Sequence, residues 1–84
     1  MFDGVMNNTE ITRKLNEIAV TIPDNLIARW AVCEYSADDN TPTLHIDLWR
    51  GHDLSELPRA VSELDVASDG FWDGGRCYSM QLPA

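Results

Sequence analysis

Thr43-Leu44-His45-Ile46-Asp47-Leu48-Trp49-Arg50 is the stretch that decides the fold. Leu44, Ile46 and Leu48 alternate with His45, Asp47 and Trp49. Successive side chains of a strand point to opposite faces, so this pattern predicts a strand with one face in a core. The other face carries a His, an Asp and a Trp. Gly51 ends the alternation.

Upstream, Ala37-Asp38-Asp39-Asn40-Thr41-Pro42 reads as a polar hairpin loop. Leu26 to Ser36 precedes it and predicts a strand, with Trp30, Val32 and Tyr35 as β-formers. Its two faces are both mostly apolar, Trp30 and Val32 on one, Ala31, Cys33 and Tyr35 on the other. A strand of that kind is expected to be central or covered on both sides, with Trp30 and Cys33 in the core. Before it, Ile11, Leu15, Ile18, Ala19 and Ile22 recur at helical spacing. Asn8 or Thr9 is the expected N-cap, and Pro23 halts the run. Residues 1–7 read as a loose N-terminal arm.

Downstream, Asp53 with Glu56 three residues later has capping-box spacing and predicts a second helix. Pro58 is tolerable only in a first turn, which moves the regular start toward Leu57. Leu57, Val61 and Leu64 form its stripe, and Ser68-Asp69-Gly70 is expected to close it. Phe71-Trp72, Asp73-Gly74-Gly75 and Arg76 to Leu82 then read as a final hairpin. The order α-β-β-α-β-β predicts an α+β fold: a single domain over residues 1–84, with a mainly antiparallel four-stranded sheet and two helices packed on it. One shared face for both helices is the natural packing, and one helix on each face is the alternative.

With 84 residues the chain is near the size at which one core folds unaided, burying roughly 60% of the extended-chain surface. No apolar run approaches the roughly 18 residues of a spanning helix. The start Met1-Phe2-Asp3-Gly4 has neither the basic nor the apolar segment of a secretory signal. A cytoplasmic, soluble protein is expected, with Cys33 and Cys77 as free thiols. A Cys33–Cys77 bridge requires adjoining strands.

The formal net charge is −8. Residues 33 to 84 hold ten of the acids against Arg50, Arg59 and Arg76. This disfavours direct nucleic-acid binding and anionic membranes, which need clustered Lys and Arg. It suits a basic protein partner. The partner-binding candidates are Asp38, Asp39, Asp47, Trp49, Asp69, Trp72 and Asp73. Exposed aromatics beside carboxylates have the composition of a docking surface. Carboxylates gathered on one surface would imitate phosphates and occupy a basic, nucleic-acid-binding groove.

His45, Asp47, His52 and Asp53 would serve as a metal or general-base site only if they converged. Surface His and Asp flanking an amphipathic strand are the plainer reading. No nucleophile elbow, phosphate loop or zinc spacing occurs, so neither an enzyme nor a bound cofactor or metal is expected. The expected function is a stoichiometric inhibitor, by analogy of size and charge with anti-CRISPR and anti-restriction proteins of phage. An immunity protein or antitoxin is the alternative, and an accessory subunit of a larger complex is a further one. The chain is expected to be a monomer or homodimer.

Overall fold

The computed structural model describes residues 7–33 and 41–83. Helix α1 spans Asn8–Ala19 and strand β1 Ile27–Cys33. Strand β2 spans Thr43–Trp49. A single 3-10 turn, Leu54–Glu56, leads to the one-turn helix α2, Arg59–Ser62. Strands β3, Asp65–Trp72, and β4, Gly75–Gln81, complete the chain. The α-β-β-α-β-β order and the α+β class read from the sequence are those of the molecule.

Helix α1 is capped by Asn7, one residue before the expected Asn8 or Thr9. The Asn7 side-chain oxygen accepts from the Glu10 N–H at 2.9 Å, and the Glu10 carboxylate accepts from the Asn7 amide at 3.2 Å. The first bond satisfies one of the N–H groups that a helix start leaves free, and the second holds the two side chains together. Its inward stripe is Leu15, Ile18 and Ala19.

The sheet is antiparallel throughout, in the order β1-β2-β4-β3. Strand β2 is therefore central, and Leu44, Ile46 and Leu48 are all buried. Opposite Leu44 and Ile46 on β4 stand Met80 and Tyr78. Leu15, Ile18 and Ala19 join Leu57, Val61 and Leu64 in one core cluster with these strand residues. Both helices thus lie on one face of the sheet. The alternative, one helix on each face, is not what forms.

Three expectations are corrected. Strand β1 is an edge strand, not a central one. Its second apolar set does not face a second layer: Ala31 and Cys33 are exposed, so Cys33 is not a core thiol. Trp30 is half-buried and packs at the core's margin. The remainder of the expected strand, through Ser36, lies outside the described residues, as does the Ala37–Asn40 part of the hairpin loop.

The second helix is far shorter than its apolar spacing suggests. Asp53 and Glu56 do form a capping box, but on the 3-10 turn. Leu57 precedes Pro58 and is extended, at φ −79° and ψ 157°. A residue before proline is pushed out of the helical region, which separates the two short helices. After Leu64 the chain enters the sheet. Asp65 to Ser68, expected in a helix, pair instead with Gln81 to Tyr78 of β4. Asp69 is the extra residue of a bulge, and Gly70 takes φ +115°, a conformation that disfavours side chains.

Gly75 is required for a different reason. A methyl group there would overlap the Leu48 carbonyl oxygen. Gly75→Ala should therefore cost ~1–3 kcal/mol of stability, the usual range for overpacking. Leu15→Ala should cost ~2–5 kcal/mol as a core truncation. Val20→Ser, at an exposed position, should change stability by less than ~0.5 kcal/mol. Urea unfolding of the three variants checks the ranking.

Candidate interaction surface

The sheet face opposite the helices is covered by no element among the described residues. Backbone register arranges its side chains in rows. One row runs Arg29–Asp47–Cys77 across β1, β2 and β4. The next runs Ala31–His45–Ser79–Ala67. At the end of the sheet, Trp49 and Trp72 both stand opposite Gly75.

The Trp pair follows from that register. Gly75 has no side chain, so the indoles on either side approach across it. Their ring centroids are 5.9 Å apart, with planes tilted by 44°. Tilted pairs of this separation stabilise each other by roughly 0.5–1.5 kcal/mol beyond area burial. Trp49 remains 42% exposed. The pair therefore offers apolar surface at low entropic cost.

Asp47 has a different fate from the one expected of a docking acid. It is only 9% exposed and is ion-paired to Arg29. Burial pushes its carboxyl up, but hydrogen bonds from Arg29 and Cys77 outweigh that and hold it below the ordinary aspartate range. The same contact pushes the Cys77 thiol up, with burial adding to it, so this thiol stays protonated. Cys33 and Cys77 are free. Strand β2 lies between the strands that carry them, so the bridge considered from sequence has no geometry to form.

Asp69 leaves the ladder at its bulge and returns over the same face. Its Oδ1 accepts from the Ser79 hydroxyl at 3.2 Å, and its Oδ2 lies 3.7 Å from His45 Nδ1. His52 is drawn elsewhere, with Nδ1 3.0 Å from Glu56. The four residues His45, Asp47, His52 and Asp53 therefore do not converge. Each has its own partner: Asp69, Arg29, Glu56 and Ser55 respectively. Among the described residues no three His, Cys, Asp or Glu side chains group closely enough to hold a metal ion.

Four of the exposed acids lie along β3 and its ends. Glu63 and Asp65 lie at its start, Asp69 at the bulge and Asp73 in the turn, and all are exposed. None pairs with Lys or Arg among the described residues. Of the candidates from sequence, Trp49, Trp72 and Asp69 share the uncovered face and Asp73 borders it. Asp47 is on the face but neutralised. Asp38 and Asp39 lie outside the described residues.

Sequence reasoning missed Arg29 as the partner of Asp47 and missed Phe71 and Arg76 as a pair. The second was legible. A two-residue turn at Asp73-Gly74 sets Trp72 opposite Gly75 and Phe71 opposite Arg76. The Arg76 guanidinium lies over the Phe71 ring, 4.7 Å from its centroid. The first had no local signal, because Arg29 and Asp47 meet only through strand pairing.

Fold and surface together define a two-layer α+β domain with one bare, acid-bordered sheet face. No helix among the described residues is long and apolar enough to cross a membrane. Comparison with protein families, curated proteins and solved structures finds no match to the chain.

The depressed Asp47 value has a consequence for stability. An aspartate held lower in the folded state stabilises fully above its unfolded value, about 3.9, and that contribution is lost as pH falls through the folded value. Acidification into that range should destabilise the protein. Asp47→Asn should lower stability at neutral pH and flatten the acid limb. Asp53 and Glu56, held low by hydrogen bonds from Ser55 and from His52 respectively, leave a residual slope. Urea midpoints across acidic pH for both proteins test this.

Proposed function

We propose that the chain is a small acidic protein-binding module that docks on a basic surface of a partner. The observation that supports it most is the line of exposed carboxylates on Glu63, Asp65, Asp69 and Asp73, unneutralised by Lys or Arg among the described residues. The Trp49–Trp72 pair lies at the end of the same face. Carboxylates of this kind raise the association rate with a cationic surface, and a rigid aromatic pair slows release. The surfaces that carry such cations in concentrated form are nucleic-acid-binding grooves. The module then acts as a stoichiometric inhibitor of nucleic-acid-handling machinery, in the manner of anti-CRISPR and anti-restriction proteins.

Both edge strands support surface docking over strand addition. Each carries a bulge, at Ala28 in β1 and at Asp69 in β3. Bulged edges resist pairing with a further strand. That weighs against an accessory subunit built in by sheet extension.

The test is affinity capture from host lysate with salt-gradient elution, followed by titration of the captured partner. A nucleic-acid-processing partner, eluted by salt and displaced by DNA or RNA, is the expected result. The double variant Asp65→Lys with Asp69→Lys should bind about tenfold or more weakly at low salt, with the difference shrinking as salt screens it. Unchanged low-salt affinity in a folded double variant would sink the reading. Capture of a toxin would assign an immunity protein or antitoxin instead.

A further inference from the structure

The bend from Trp49 to Asp53 and the turn between β3 and β4 enclose a groove of about 540 Å³. Small-molecule sites span roughly 300–1,000 Å³. Its walls include Trp49, Phe71, Trp72 and Tyr78, four of the chain's seven aromatic residues. Arg50 and Arg76, two of its six Lys and Arg residues, line it as well.

The groove is held in shape by Arg50. Its backbone N–H donates to the Gly74 carbonyl at 2.7 Å, and its Nη2 donates to the Asp73 carbonyl at 2.6 Å. The two loops are thereby clasped. Gly51, at φ +91°, allows the bend that brings Arg50 there.

The two guanidiniums are unusual in so acidic a chain. Neither pairs with a carboxylate among the described residues. Asp53 lines the groove as well, and its carboxylate and that of Glu56 are hydrogen-bonded. The Asp53 carboxylate accepts from the Ser55 N–H and hydroxyl. That of Glu56 binds His52 and the Asp53 N–H. Asp73 is exposed on the turn and gives Arg50 its carbonyl. Arg76 rests on Phe71, yet the Phe71 side chain is not enclosed: the residue is 75% exposed. The site offers aromatic surface to a ring and two guanidinium forks to an anion.

We propose that this groove binds a small planar aromatic ring bearing one carboxylate. The ring lies against the aromatic walls, and the carboxylate accepts from Arg76 and from the free N–H groups of Arg50. A single negative charge suits the site better than a dianion, because the net charge of −8 repels the second charge. The groove shares Trp49 and Trp72 with the proposed docking surface, but none of Glu63, Asp65, Asp69 and Asp73 lines it.

Titration of the full chain with naphthoate, followed by amide and indole NMR shifts, tests it. Saturable shifts are expected at Arg50, Phe71, Trp72 and Arg76. Naphthyl methanol, the neutral analogue, should bind about tenfold more weakly, as should Arg76→Gln toward naphthoate. Phe71→Ala, at an exposed position that spares the fold, should also weaken binding, and Arg13→Gln on α1 should not. The proposal is overturned by the absence of saturation in the low-millimolar range. Equal affinity for the neutral analogue, or tighter binding of adenosine monophosphate than of naphthoate, also overturns it. So does unchanged binding by Arg76→Gln and Phe71→Ala.

Discussion

The burial of Leu44, Ile46 and Leu48 beneath α1 and α2 is the constraint on which the rest of the molecule depends. These three side chains fix which face of β2 is inward. A slip of one residue would exchange them for His45, Asp47 and Trp49 and bury a charge in place of Ile46. With β2 in the middle, β1 and β4 pair with it on either side, and β3 joins at β4. The positions of the Trp pair, of the Arg29–Asp47 ion pair and of the groove all follow from that one choice of face.

The same constraint explains why no element among the described residues covers the other sheet face. A chain of 84 residues supplies apolar side chains for one two-layer core. Both helices are spent on the Leu44 side. The opposite face is then finished with polar rows and a few aromatics, and Asp47 is made tolerable there by Arg29 and Cys77. Glu63, Asp65, Asp69 and Asp73, on the edge strand β3 and at its ends, have no Lys or Arg partner among the described residues.

Gly75 links fold to surface. It stands between Trp49 and Trp72 and has no space for a side chain. The residue that lets β4 pass close to Leu48 is also the one that lets two indoles meet. The neighbouring turn supplies Asp73, whose carbonyl clasps Arg50. Two surfaces of opposite character therefore adjoin at this end of the sheet: an aromatic, acid-bordered face and an arginine-bearing groove.

Local pattern by itself determined much of this. The spacing of Leu15, Ile18 and Ala19 specified α1. The alternation from Thr43 to Trp49 specified β2 and its inward face, and Asp73-Gly74-Gly75 marked the last turn, with Gly75 already the first residue of β4. Each is a short-range signal, expressed within one helical turn or a few strand residues. The tertiary structure decided what such signals do not carry. Leu57, Val61 and Leu64 have helical spacing, yet Pro58 and the pairing partner on β4 cut the helix to one turn and drew Asp65 to Trp72 into a strand. The apolar faces of residues 27–33 suited a central strand, yet β1 lies at an edge because only β2 was free to pair with it. Asp47 read as an available acid, but its charge is spent on Arg29, 18 residues away in the chain. Strand pairing brings distant residues together by backbone hydrogen bonding, and composition along the chain holds no record of which strands will meet.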